Sequence, residues 1–409
     1  MNVLIVSQYF WPEAFRINDI ACGLQERGHR VRVLTGLPNY PGGQLFPGYS
    51  FLGPYSDQLQ QVPIIRAPLI PRGAGGGLRL ALNYLSFAIS ASIIGTLRCS
   101  RAVDVILVYE PSPVTVGVPA IALKLVSGAP ILFWVQDLWP HSLTATGAVR
   151  SKTMLRGVDM IVRWIYRHCD LIFVQSRAFI RPLHDQGVPA EKIEYLPNTA
   201  ESFYRPVAIE SEASERRELP QGFRIVFAGN IGAAQDFPTI LSAAEITRDD
   251  PNIHWIVFGE GRVKPWLASE VTTRGLHGTF HLMGSRPPEQ MPRYFALADA
   301  LLVTLRRDPI FSYTIPSKIQ SYLGCGRPII AALEGEGARV IEESRAGYVV
   351  APENPAALAA AARRLSGLSH SDLLNMGANG AAYFVQHFER SRLLDQLERR
   401  ITQVGGSKS

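Results

Sequence analysis

Four short segments hold the residue types that a phosphate or a sugar would need. Thr314-Ile315-Pro316-Ser317-Lys318 reads as a helix start, with Ser317 as cap and Lys318 in the first turn. The helix dipole disfavours a cation there unless an anion shares the site. Arg306 and Arg307 lie just upstream, although an exposed lysine of no consequence would fit the same letters. Gly229-Asn230-Ile231-Gly232 follows an apolar run and precedes a helix starting near Pro238, so peptide N–H groups there can approach an anion closely. A plain strand-to-helix turn asks for the same glycines. In the segment from Trp134 to His141, Asp137 and His141 stand beside two indoles, a set that can orient a sugar by covering its C–H faces. Asp137 can equally cap a turn. Arg16 and Asn18, after Trp11-Pro12-Glu13, and Asn39-Tyr40 complete the candidates, Arg16 as a charge-assisted phosphate contact.

These segments belong to elements that must present them together. Short apolar runs bounded by turn residues alternate with helical patterns: Asn2–Ser7, Arg30–Thr35, Val62–Arg66, Val103–Tyr109, Ile131–Val135 and Leu171–Gln175 in the first half. Arg224–Ala228, His254–Phe258, Thr279–Leu282, Ala300–Thr304, Pro328–Ala331 and Gly347–Val350 follow in the second. Continuous apolar strands alternating with helices imply a mainly parallel sheet covered on both faces. The rhythm restarts after a charged stretch, Ile209–Gly222. The expected organisation is α/β, two doubly wound domains in tandem: residues 1–205, a linker at 206–222, residues 223–385, and a final amphipathic segment, 386–409. Ligands sit at the carboxyl ends of such strands, so the loops Gln8–Asn18, Gly36–Gly43, Glu110–Pro113, Gln136–His141, Gly229–Gln235, Gly259–Gly261 (with Glu260), Gly284–Arg286 and Arg306–Lys318 carry the weight.

Composition closes other routes. A chain of 409 residues with 47% hydrophobic and 19% charged residues is globular and sized for two domains. GxGxxG and GKS/T are both absent, which argues against a dinucleotide oxidoreductase and a Walker-type NTPase. The four cysteines are widely spaced, so neither zinc nor a disulfide framework is indicated. Residues 1–205 carry 19 Lys+Arg against 13 Asp+Glu, whereas 206–409 carry 22 of each. The whole net charge of +6 therefore lies in the first half and points to an anionic partner there. No basic stripe with interleaved aromatics suggests nucleic acid. The N-terminus reads as a buried strand rather than a signal peptide. The longest apolar stretch, Leu80–Gly95, falls short of a membrane span, leaving a surface helix against lipid headgroups, flanked by Arg72, Arg79, Arg98 and Arg101, or a core helix.

Gln8-Tyr9-Phe10-Trp11-Pro12-Glu13, Gly28-His29, Leu34-Thr35, Gln136-Asp137-Leu138-Trp139-Pro140, Ala228-Gly229-Asn230-Ile231-Gly232 and Pro316-Ser317-Lys318 occur in one order. In this the chain resembles the retaining glycosyltransferases of family 4, with GT-B fold, and most the WbuB-like branch linked with bacterial O-antigen, capsule and exopolysaccharide assembly. The resemblance implies two Rossmann-like domains facing a cleft, an N-terminal acceptor domain, a C-terminal nucleotide-sugar domain and a last helix returning to the first. It also implies transfer with retention, no metal or other cofactor, and the donor phosphate as leaving group and base. By the resemblance, Asp137 is the catalytic candidate, and Arg16, Asn18, Asn39, Tyr40 and His141 face the acceptor. Gly229, Asn230, Gly232, Gln235, Gly259, Glu260, Tyr313, Thr314, Ile315, Pro316, Ser317, Lys318 and Ser321 face the donor. Asn230 and Gln235 stand where the family has Arg and Lys, Tyr313 and Ser321 where it has two glutamates, and His141 where the branch commonly has Glu. The expected partners are a UDP-sugar more than a GDP-sugar, a polyprenyl-diphosphate-linked saccharide and the cytoplasmic face of the inner membrane. A nucleotide-sugar 2-epimerase of the same fold and a non-catalytic scaffold are the competing readings.

Overall fold

In the computed structural model, which describes residues 1–73, 76–145, 149 and 151–406, the chain forms two compact units. Unit 1 comprises Met1–Pro197 together with Leu393–Ser409, and unit 2 is Asn198–Arg392.

Unit 1 is built on an eight-stranded sheet: β1 (Asn2–Val6), β2 (Arg30–Gly36), β3 (Ser56–Leu59), β4 (Val62–Ala67), β5 (Val105–Glu110), β6 (Ile131–Val135), β7 (Leu171–Val174) and β8 (Ile193–Tyr195). Their spatial order is β3-β4-β2-β1-β5-β6-β7-β8. All pairs are parallel except the β3–β4 hairpin. β5 and β6 are buried along their whole length, which is why they read as unbroken apolar runs. β3 escapes the sequence pattern because its residues, Ser-Asp-Gln-Leu, are mostly polar; the buried Arg66 holds it through Asp57 at 2.9 Å. β5 begins two residues later than expected, since Asp104 turns its carboxylate onto the Asn2 amide at 2.7 Å.

Unit 2 has six parallel strands: β9 (Phe223–Ala228), β10 (Ile253–Phe258), β11 (Phe280–Gly284), β12 (Ala300–Thr304), β13 (Ile329–Ala332) and β14 (Gly347–Val350), in the order β11-β10-β9-β12-β13-β14. In each sheet the first strand of the unit sits between neighbours whose connections run in opposite directions. That is β1 between β2 and β5, and β9 between β10 and β12. Such switch points leave a crevice at the strands' carboxyl ends.

Three expectations need correction. The stretch 206–222 is not a free linker. Glu215 and Glu210 pair with Arg293 at 2.5 and 3.2 Å, Glu218 accepts the Tyr294 hydroxyl at 2.9 Å, and Leu219 enters the unit 2 core. Glu210, Glu215 and Glu218, within the charged stretch read as a linker, are ion-pair partners. The chain also passes into unit 2 at Asn198, ahead of residue 205, because Tyr204 packs on Phe295. The apolar segment is longer than its Leu80–Gly95 letters suggest. The helix runs Gly77–Arg98, 22 residues with a mean hydropathy of 1.6, long and apolar enough to cross a membrane by length and composition. It absorbs Arg79 and Arg98 at its ends. One face, Asn83, Phe87, Ala88, Ala91 and Gly95, is buried in unit 1.

The helix Arg390–Gly406 inserts Leu393, Leu394, Leu397 and Ile401 among Val3, Ile5, Ile17 and Leu24. Arg27 and His29 fasten it through Glu398 at 2.8 and 2.9 Å.

Candidate active site

In unit 2 the candidate residues gather at the switch point. Gly229 ends β9 with φ +139, a conformation that favours glycine. A Cβ there would lie 2.6 Å from Lys318 Cε. The lysine's Nζ sits 4.0 Å from the Phe227 ring centroid and donates to Gln235 Oε1. Burial pushes its ammonium down to about 7. Among the described residues no carboxylate pairs with it. The lysine is thus half-buried rather than an exposed surface group, and an anion beside it would favour its charged form. The 259–261 loop locks against the 229–232 loop. Gly259 and Gly261 approach Gly229 O and Ile231 O so closely that a Cβ would fall 1.9 and 2.2 Å from them, and Ile231 N–H donates to Glu260 O at 2.8 Å.

This interlock revises the expected anion cradle. The Gly229 and Ile231 amides are already used, by Phe258 O at 2.9 Å and by Glu260 O. Asn230 is exposed, and Gly232 opens the turn Ala233–Gln235. Ser317 does not cap its helix: the N-cap is Pro316, and Ser317 is the first helical residue. Arg306 and Arg307 are drawn to Glu353 and Glu334, at 3.9 and 3.8 Å, not to Lys318. Ile315 lies in the core, Thr314 turns its hydroxyl to Phe311 O at 3.3 Å, and Ser321 is buried with its hydroxyl on Ser317 O. Glu260 is held by Lys264 at 2.5 Å. Tyr313 closes the short helix Pro309–Tyr313, half-buried. The structure therefore brings Gly229, Gln235 and Lys318 together and withdraws Ile315, Ser321 and Glu260.

In unit 1 the carboxyl ends of β1, β2, β5 and β6 carry the rest. Asp137 is half-buried and accepts the Trp139 indole N–H at 3.1 Å. Burial raises its carboxyl above the ordinary range, against the pull of the Ser142 hydroxyl and Trp139. The Tyr84 ring meets Trp139 edge-on at 6.1 Å. His141 is exposed at the start of the helix His141–Ala145. Arg16 opens the helix Arg16–Glu26, half-buried and without a carboxylate partner among the described residues.

Asn18 and Asn39 bond loop backbone. Asn18 spends its amide on Trp11 N–H and Glu13 O, at 3.1 and 2.8 Å. Asn39 is fully buried, bonded to Leu37 O and the Arg72 amide. Glu13 fastens both loops, accepting the Asn39 and Tyr40 amides at 2.8 and 2.7 Å, and burial lifts its carboxyl to about 7. Tyr40 stays partly exposed, with the Arg72 guanidinium over its ring at 5.0 Å.

Sequence reasoning placed Glu110 in a strand-end loop without giving it a role; it is the last residue of β5. It is fully buried, Oε2 accepting the Asp137 amide at 3.4 Å and Oε1 without a partner. The available signal was a carboxylate ending an otherwise apolar strand, Val-Ile-Leu-Val-Tyr-Glu.

Comparison with known proteins agrees with this arrangement. Residues 14–199 match the family described as Glycosyl transferase 4-like domain, and residues 222–367 match Glycosyl transferases group 1. The chain is 25% identical to WcaI of Escherichia coli K12, named a colanic acid biosynthesis glycosyl transferase, over 82% of this chain and 84% of that one. It is 24% identical to the Pseudomonas aeruginosa glycosyltransferase WbjE, over 78% of each. Among solved structures, Anabaena HepE in complex with UDP superposes with a TM-score of 0.72 at 15% identity, covering 98% of this chain and all of HepE, a likeness of fold. With both sheets and both family matches in accord, the chain belongs to the family 4 glycosyltransferases of GT-B fold and is a glycosyltransferase.

Proposed function

We propose that this enzyme moves a sugar, with retention, from a nucleotide-diphosphate sugar (a UDP-sugar before a GDP-sugar) to a lipid-linked saccharide in cell-surface polysaccharide synthesis. The observation that carries the reading is Lys318, an amine set against Gly229 and Gln235 with no carboxylate paired to it among the described residues. A diphosphate supplies that missing charge. The solved relative HepE holds UDP, and WcaI is named for a polysaccharide pathway. Asp137, ringed by Trp139 and Tyr84, is the group offered to the acceptor sugar. The donor phosphate serves as leaving group and base, without a metal.

The acceptor's lipid is suggested by the helix Gly77–Arg98. Leu78, Leu82, Leu85, Ile89, Ile93 and Leu97 recur at helical spacing and are all exposed. No Asp or Glu occurs between Asp57 and Asp104, while Arg79, Arg98 and Arg101 do. An apolar stripe with basic flanks suits an anionic lipid surface, here the cytoplasmic face of the inner membrane.

The test is a melting-temperature scan with UDP, GDP, dTDP and ADP. UDP at 100 times its Kd should add about 2.7 kcal/mol, and Lys318→Met should abolish the shift. A flat response to all four sinks the donor assignment. In the transfer assay that follows, a chelator should leave the rate unchanged. Product formed from donor without acceptor would establish the epimerase instead.

A further inference from the structure

We propose that Glu110 is the proton-bearing partner of Asp137, a positioning residue that keeps the pair at a single negative charge and places that charge on Asp137. The geometry begins with burial. Glu110 lies at the unit 1 switch point, at the carboxyl end of β5, with no solvent-exposed surface. One oxygen takes a long peptide hydrogen bond from Asp137 at 3.4 Å, the Gln136 amide also acts on the carboxyl, and the other oxygen has no hydrogen-bond partner among the described residues. A carboxylate buried without a cation is among the costliest arrangements in a protein interior, and keeping the proton removes most of that cost.

The groups around it leave no other source of neutralisation. Asp137 approaches from the loop after β6, Tyr84 from the helix Gly77–Arg98, Tyr166 from the helix Lys152–His168, and Tyr109 precedes Glu110 on its own strand. Three are phenols and one is a second acid. The cations of this region act on the phenols instead, Arg16 on Tyr109 and Arg72 on Tyr84. Among the described residues no Lys, Arg or His forms an ion pair with Glu110. Burial first, and Asp137 second, hold the Glu110 carboxyl well above the ordinary range.

Asp137 is the more open of the two. It is half-buried, with an indole N–H and a hydroxyl directed at it, and those donors favour its ionised form. Two neighbouring acids with unequal surroundings share a proton unequally, and it stays with the less solvated one. The consequence rests on Asp137 facing the acceptor. A neutral Glu110 leaves Asp137 as the only charge there, so the acceptor hydroxyl meets one anion rather than two.

The test needs no substrate. Thermal unfolding of the full chain is compared for wild type, Glu110→Gln and Asp137→Asn from about pH 5 to about pH 9, with infrared spectra of the carboxyl carbonyl stretch. Because the folded pKa of Glu110 lies above its unfolded value, wild type has full stability below the ordinary carboxyl range. It loses stability as pH rises toward the folded pKa. Glu110→Gln cannot ionise, so its melting temperature should gain on wild type with rising pH, by about 3 °C per pH unit. Glu13, whose carboxyl burial lifts to about 7, adds its own protonated band near neutrality, so the readout is the difference spectrum: wild type minus Glu110→Gln should show a protonated-carboxyl component that belongs to Glu110. A glutamine variant that falls behind as pH rises, or an unchanged band, overturns the proposal. Should that variant not fold, Asp137→Asn decides. Removing the neighbouring charge should move the loss of the band to lower pH, and a band that stays put refutes the coupling. Loss of transfer in Asp137→Asn tests the catalytic reading separately, since the unfolding data do not depend on it.

Discussion

Gly229 is fixed twice over, by a backbone angle that favours glycine and by the Lys318 side chain lying where a Cβ would go. Gly229→Ala should therefore cost about 1–3 kcal/mol and push the amine off Gln235. The expected readout is a lower melting temperature and a lost response to UDP; an alanine variant that responds fully would dissociate the lysine from the donor. At this scale the sequence was legible where a motif is contiguous. Lys318 could be read from Pro-Ser-Lys and Asp137 from Gln-Asp-Leu-Trp-Pro. It was not legible where partners come from distant strands. Glu110 meets Asp137 across two strands, and Ser321 looks like a binding residue until its hydroxyl is seen folded back on its own helix. The bonds that Asn18 and Asn39 make to loop backbone were hidden for the same reason, since no local pattern reveals them.

At the scale of elements, the helix Gly77–Arg98 has two faces with different tasks. Asn83 binds Gln8 at 2.8 Å and Ile70 O at 2.7 Å on the inner face, while the leucine and isoleucine stripe remains outside. If the stripe meets lipid, Ile89→Ser/Ile93→Ser should release the protein from anionic vesicles in a flotation assay and leave its melting temperature nearly unchanged. Exposed positions contribute little to folding. Unchanged flotation would remove lipid as the occupant of this face. Composition gave the stripe's hydrophobicity but not its length, because arginines at a helix end read as a boundary when they are only its wet termini. The parallel strands were the most legible elements. Burial on both faces leaves unbroken apolar runs, whereas polar β3 depends on the Arg66–Asp57 pair formed only after folding.

At the scale of the molecule, the chain does not divide at one point. Unit 1 begins it and, with Leu393 onward, ends it. The amphipathic spacing of Leu393, Leu394, Leu397 and Ile401 was visible in the letters, while the charged stretch before β9 misled, because ion pairing to Arg293 and solvation look alike in sequence. Leu397 is fully buried against the β1 side of the unit 1 core. Leu397→Ala should cost about 2–5 kcal/mol and lower the unfolding transition of unit 1 while that of unit 2 stays in place. A lowered unit 2 transition would show that the helix belongs elsewhere. The returning helix also sets an order of events during synthesis. Unit 2 has all its residues once Arg392 has left the ribosome, but unit 1 still lacks four core side chains and the Glu398 clamp on Arg27 and His29. The segment made before unit 2 is thus finished after it, and its uncovered core residues must wait as a nascent chain for the whole of unit 2 to be translated. That interval is when a holdase chaperone would have the most to cover.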